Sequence, residues 1–125
     1  MVANEIRYEA SQLEDAELVL VAFGYAARVS FQAMNWARAE GIKVGMIRPI
    51  TVWPFPAQII KEQAVKGAKF LVVEDNLGQM LMDVKMASEG KAEIHLVSAL
   101  DRHEAMEGGA IYPEKVLEKI KGLTH

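Results

Sequence analysis

Glu17-Leu-Val-Leu-Val-Ala-Phe23 is the stretch that decides the architecture, an unbroken apolar run rich in β-branched residues that Gly24 ends. A strand on a half-wetted sheet alternates apolar and polar residues. One that stays apolar throughout is buried on both faces, as in a parallel sheet covered by helices. The next segment is helical: Ala26, Val29, Ala33, Trp36 and Ala37 recur at helical spacing through Glu40, with Arg28, Gln32 and Asn35 on the other side. Gly41 stands where a helix C-terminal glycine is expected.

The same alternation repeats down the chain. Lys43-Val-Gly-Met-Ile-Arg48 reads as a second strand stopped by Pro49, and after the turn Trp53-Pro-Phe-Pro56 a helix is predicted with Pro56 as its first residue and Ile59, Ile60 and Ala64 inward. Lys69-Phe-Leu-Val-Val-Glu74 is the next strand. Asn76-Leu-Gly-Gln79 then opens a helix whose inward stripe is Leu77, Met80 or Leu81, Val84 and Ala87. Glu93-Ile-His-Leu-Val97 follows as a strand, and Pro113 starts a last helix with Val116, Leu117 and Ile120 inward. Ile6-Arg-Tyr-Glu9 alternates in character and reads as an additional edge strand. Strands alternating with helices across short loops predict one α/β domain over residues 1–125, with right-handed crossovers.

Composition narrows the functions. The chain has 125 residues, the size of one domain, with 51% hydrophobic and 25% charged residues, as in a soluble globular protein. It has no cysteine, which excludes disulfides, a thiol nucleophile, a cysteine zinc site and an iron–sulfur cluster held by thiolates of this chain. The net charge of −3 comes from interleaved acidic and basic residues and argues against nucleic acid, which calls for a basic stripe. The longest apolar run, Leu18 to Ala27, is far shorter than the roughly 20 residues of a membrane span. Met1-Val-Ala-Asn-Glu5 lacks the basic start and apolar stretch of a signal peptide. A soluble cytoplasmic protein is therefore expected, with no membrane partner.

Ligands in open α/β sheets gather at the carboxyl ends of strands. Phe23-Gly24-Tyr25 has one glycine where a dinucleotide fingerprint needs three, and no phosphate loop is present. Glu74 and Asp75 are neighbours on an extended segment and point in opposite directions, so they do not share a proton. Asn76 with Gln79 fits a capping-box-like helix start. His95, His103 and His125 have no ligand-like spacing, and no histidine–carboxylate pairing is expected. Two features resist a purely structural account. One is the stiff aromatic-proline loop carrying Trp53 and Phe55. The other is Gln79, Met82 and Met86, off the core stripe at mutual spacings of three and four, which form either an outer apolar contact patch or ordinary surface methionines.

Ile47-Arg-Pro-Ile-Thr-Val-Trp-Pro-Phe-Pro56 and Leu71-Val-Val-Glu-Asp-Asn-Leu-Gly-Gln-Met80 resemble two characteristic segments of the 2-oxoacid:ferredoxin oxidoreductase α subunit, in its C-terminal, transketolase-C-like domain. Leu18-Val-Leu-Val-Ala-Phe-Gly24 with Ala27-Arg-Val29, and Gly108-Gly-Ala-Ile-Tyr-Pro113, are similar in order and spacing. The resemblance runs from about Ile6 to the last helix; the loop from Asp101 to Glu107 departs from it. It implies a three-layer α/β/α sandwich with a mixed five-stranded sheet whose first strand is antiparallel. It also implies the oxidation of a 2-oxoacid with coenzyme A to an acyl-CoA, carbon dioxide and reduced ferredoxin. Thiamine diphosphate and [4Fe-4S] clusters would be held elsewhere in the complex, with no cofactor on this chain. The preceding catalytic domain is missing, so the resemblance implies an excised piece or a naturally split subunit.

On that reading the role is assembly, with no catalytic residue here. The contacts would fall on Gly24, Arg48, Trp53, Phe55, Glu74, Asn76, Gln79, Met82 and Met86, against the thiamine-binding domains and the iron–sulfur subunit. Self-association is left open. The alternatives are a free-standing flavodoxin-like module for a small anion or nucleotide, and the C-terminal domain of a pyruvate-dehydrogenase-type β subunit. The Trp53-Pro54-Phe55 loop and Asn76-Leu-Gly-Gln79 argue against the second.

Overall fold

A computed structural model describes residues 8–22, 24–49, 56–74, 79–98 and 111–124. In chain order the elements are β1 (Tyr8–Ser11), β2 (Leu18–Val21), α1 (Tyr25–Ala39), β3 (Val44–Pro49), α2 (Ala57–Val65), β4 (Lys69–Glu74), α3 (Gln79–Ser88), β5 (Ile94–Ser98) and α4 (Pro113–Leu123). The strands form one five-stranded sheet in the order β1-β3-β2-β4-β5. β2, β3, β4 and β5 run parallel. β1 is antiparallel to β3, placing Tyr8 opposite Pro49 and Glu9 opposite Arg48, so an antiparallel first strand is found at the sheet edge as expected. It runs on to Ser11, and Ile6 and Arg7 of the expected strand lie outside the described residues.

The apolar run that opened the sequence becomes β2, the central strand, with Leu18, Val19, Leu20 and Val21 all fully buried. Side chains alternate across a strand, and this run serves two cores at once. Leu18 and Leu20 join Val44, Met46, Leu71 and Val73 under α1 and α4. Val19 and Val21 join Ile47, Phe70 and Val72 under α2 and α3. Each such aliphatic side chain contributes about 1.5–3 kcal/mol on leaving water, so this strand alone outweighs any surface ion pair of the molecule.

The punctuation residues act through backbone geometry. Gly24 caps α1 at φ 64°, ψ −138°, a combination essentially open only to glycine, and it turns the chain sharply from β2 into the helix. Gly41 has φ 86°, and the amides of Gly41 and Ile42 donate to the carbonyls of Arg38 and Ala37, closing α1 as a Schellman motif.

Three details differ from the sequence reading. Pro56 is the N-cap of α2 rather than its first helical residue. α3 begins at Gln79, and the Asn76-Leu77-Gly78 part of its expected start lies outside the described residues. Trp36 is only half-buried, while Met34 is 1% exposed; the buried stripe of α1 leans toward α4, taking in Ala27 and Met34 and leaving Trp36 on its flank.

Candidate functional site

Because β2, β3 and β4 are adjacent and parallel, their carboxyl ends share one rim of the sheet. Gly24 lies there exposed at the start of α1, Arg48 near the end of β3, and Glu74 at the end of β4, with Gln79 opening α3 close by in sequence. The fold therefore gathers Gly24, Arg48 and Glu74 along one side. Trp53, Phe55 and Asn76 lie outside the described residues.

Glu74 is not a surface group. It is 2% exposed, and its Oε2 accepts a hydrogen bond from the amide of Leu81 at 3.2 Å. A carboxylate delivered from β4 thus satisfies an orphan donor in the first turn of α3, where negative charge is favourable. Arg48 Nη1 donates to Glu9 Oε1 at 3.1 Å, tying β3 to the edge strand across their register pair. Met82 and Met86 are 58% and 73% exposed on α3, in keeping with their position off the core stripe.

The sequence reading missed a second grouping. A groove of about 390 Å³ lies between α1 and the β1–β3 edge. Met46 and Ala27 give it buried apolar lining, α1 presents Phe31 and Arg28, and β1 contributes Glu9 and Ser11, with Arg48 at the rim end. Phe31 is 48% exposed although it lies on the polar side of α1, one turn from Arg28 and Asn35. An aromatic ring on a polar helix face was the signal that could have found it.

One pairing contradicts the sequence reading. His95 Nε2 and Glu93 Oε2 lie 2.7 Å apart at the amino end of β5, because residues two apart on an extended chain project on one side. The hydrogen bond from His95 holds the Glu93 carboxyl below its usual value, and the charge of Lys69 lowers it further. This pair sits at the end of the sheet opposite the rim. Among the described residues no group of three or more His, Cys, Asp or Glu side chains could hold a metal ion. No helix among them is long and apolar enough to cross a membrane.

Comparison with known proteins bears on this arrangement. The family described as pyruvate:ferredoxin oxidoreductase core domain II matches residues 16–116. The ketoisovalerate oxidoreductase subunit VorB of Methanothermobacter marburgensis is 48% identical over 121 residues, covering 97% of this chain and 32% of that subunit. The chain thus spans about a third of that curated relative's length. Among solved structures, a 2-oxoglutarate:ferredoxin oxidoreductase from Magnetococcus marinus, with 2-oxoglutarate, coenzyme A and succinyl-CoA bound, superposes with a TM-score of 0.78 at 22% identity, over 99% of this chain and 21% of that one. A split-gene transketolase, described as an inactive β4 tetramer, gives 0.77 at 17% identity, over 95% of this chain and 42% of that one. These two likenesses establish the three-layer, transketolase-type fold. With a match across most of its length, the chain belongs to the pyruvate:ferredoxin oxidoreductase core domain II family.

Proposed function

We propose that this chain is an assembly domain, a single transketolase-C-like unit over residues 1–125, of a cytoplasmic thiamine-diphosphate-dependent 2-oxoacid:ferredoxin oxidoreductase. The complete complex would convert a 2-oxoacid, coenzyme A and oxidised ferredoxin to an acyl-CoA, carbon dioxide and reduced ferredoxin. The observation that carries the reading is the match of almost the whole chain to one third of a ketoisovalerate oxidoreductase subunit. Branched-chain 2-oxoacids lead among the substrates for that reason.

The chain's own donor set does not fit the redox cofactor. A [4Fe-4S] cluster is held by cysteine thiolates, and the sequence has none. Clusters are accordingly assigned to the iron–sulfur subunit; the proposal also places thiamine diphosphate and coenzyme A elsewhere in the complex, and gives this chain no catalytic residue. This chain supplies the contact through Gly24 and Arg48 on the rim, backed by Glu74 and Gln79 at the head of α3, and through Trp53, Phe55 and Asn76 of the sequence motifs. Met82 and Met86 extend the contact along α3.

Trp53→Ala together with Phe55→Ala tests the docking role. Co-purification of the tagged chain with thiamine-binding and iron–sulfur subunits of a ketoisovalerate oxidoreductase should fall at least about tenfold, the weight of a lost aromatic anchor. Unchanged co-purification would refute the assigned contact.

A further inference from the structure

We infer that the groove between α1 and β1 seats an acidic, amphipathic segment of a partner polypeptide. On this face of the sheet α1 and α4 cover the inner strands, and no helix of the described residues covers β1, whose Tyr8, Glu9 and Ala10 are exposed. Helices normally cover both faces of such a sheet, so the place beside α1 is where one more element would complete the layer. The groove, about 390 Å³, offers apolar contact through Phe31, 48% exposed, and Met46 beneath it.

Charge selects the occupant. Among the described residues Arg28 has no ion pair, and Arg48 has one, to Glu9. Among the described residues that line it, two guanidinium groups face one carboxylate, so this lining is positive on a chain of net charge −3. A guanidinium fork suits carboxylates, while Phe31 and Met46 suit a bulky apolar side chain between them. A small organic acid would leave much of its surface wet in so open a trough, whereas bound small molecules usually bury about 70–90% of theirs. A polypeptide segment held by its own domain has no such need. The oxidoreductase reading enters only as the source of that segment: the relative is about three times as long as the part matched here, which leaves a large polypeptide to pack against this domain.

The test is backbone-amide NMR on the full chain. The probe is a synthetic acetylated peptide of repeating Glu-Glu-Leu-Leu units, with a Lys-Lys-Leu-Leu counterpart as charge control. Saturable shifts are expected around Glu9, Ser11, Arg28, Phe31, Met46 and Arg48, from the acidic peptide alone. Arg28→Glu should weaken the binding by at least about tenfold, the weight of one lost charge pair, without moving the unfolding midpoint, since Arg28 is exposed. Four results would overturn the proposal: no shifts in the groove, equal binding of the basic peptide, no loss on Arg28→Glu, or saturation of the same residues by 4-phenylbutyrate while the peptide is silent. Shifts at these residues that depend on chain concentration without peptide would assign the groove to a second copy and also overturn it. A chain that binds the peptide but joins no oxidoreductase subunit would sink the assembly reading and leave this one standing; the reverse result would do the opposite.

Discussion

Gly45 shows how closely the edge strand approaches the sheet. A Cβ built there would stand 2.7 Å from the carbonyl oxygen of Gln12 and 2.9 Å from that of Ser11, both backbone atoms that cannot swing aside. Gly45→Ala should therefore destabilise the chain by about 1–3 kcal/mol, the usual cost of overpacking, seen as a lower urea midpoint with an unchanged slope. At this scale the sequence was an uneven guide. The glycine turns at Gly24 and Gly41 were legible because a strand end or helix end precedes each. The burial of Glu74 was not, since a carboxylate after an apolar strand reads as a surface group until the start of α3 is placed above it. Arg28 and Phe31 were missed because their shared groove exists only once β1 is known to lie beside β3.

Arg38 works between elements. From the last turn of α1 its Nε donates to the carbonyl of Val44 at 2.9 Å, and Nη2 to that of Gln12 at 2.9 Å. Nη2 and Nη1 also reach the Asp15 carboxylate, at 2.7 and 3.2 Å. One side chain thus fastens the β1–β2 connection and the start of β3 to α1. Arg38→Ala should cost about 1–3 kcal/mol through the lost charge-assisted bonds, and Arg38→Lys should restore little, because an ammonium cannot span this fork. The hydrogen bond from Arg38, opposed by desolvation and aided by the charge of Arg38, keeps the Asp15 carboxyl below its ordinary 3.8. A folded-state value lowered in this way gives a contribution present above pH 3.8 and lost as pH falls through the folded value. Asp15→Asn should accordingly be less stable than the native chain at neutral pH, the difference closing under more acid conditions in urea titrations. Element order and type were legible because each strand is an unbroken apolar run and each helix has its stripe. Boundaries slipped where local rules compete: Pro56 suits an N-cap as well as a first turn, and Trp36 yields to a stripe whose tilt is set by α4.

At the scale of the molecule, the five strands and four helices of the described residues enclose two cores, and the strand ends that carry chemistry in related architectures form a rim. Burial of β2 on both faces explains why the fold was readable from one stretch. The proposed contact surface was not, because such a surface is set by residues of other polypeptides. It is proposed from ordered motifs in the sequence that follows β3 and β4, whose Trp53, Phe55 and Asn76 lie outside the described residues. The central claim is that this chain completes an oxidoreductase. It is tested most directly by reconstitution: a ketoisovalerate oxidoreductase whose VorB-type subunit lacks the third matched here, assayed for 2-oxoacid- and coenzyme-A-dependent ferredoxin reduction with and without the chain. No reduction is expected from the chain alone, little from the truncated complex, and recovery when both are combined. Ferredoxin reduction by the chain alone, or no recovery and no association on mixing, would contradict it.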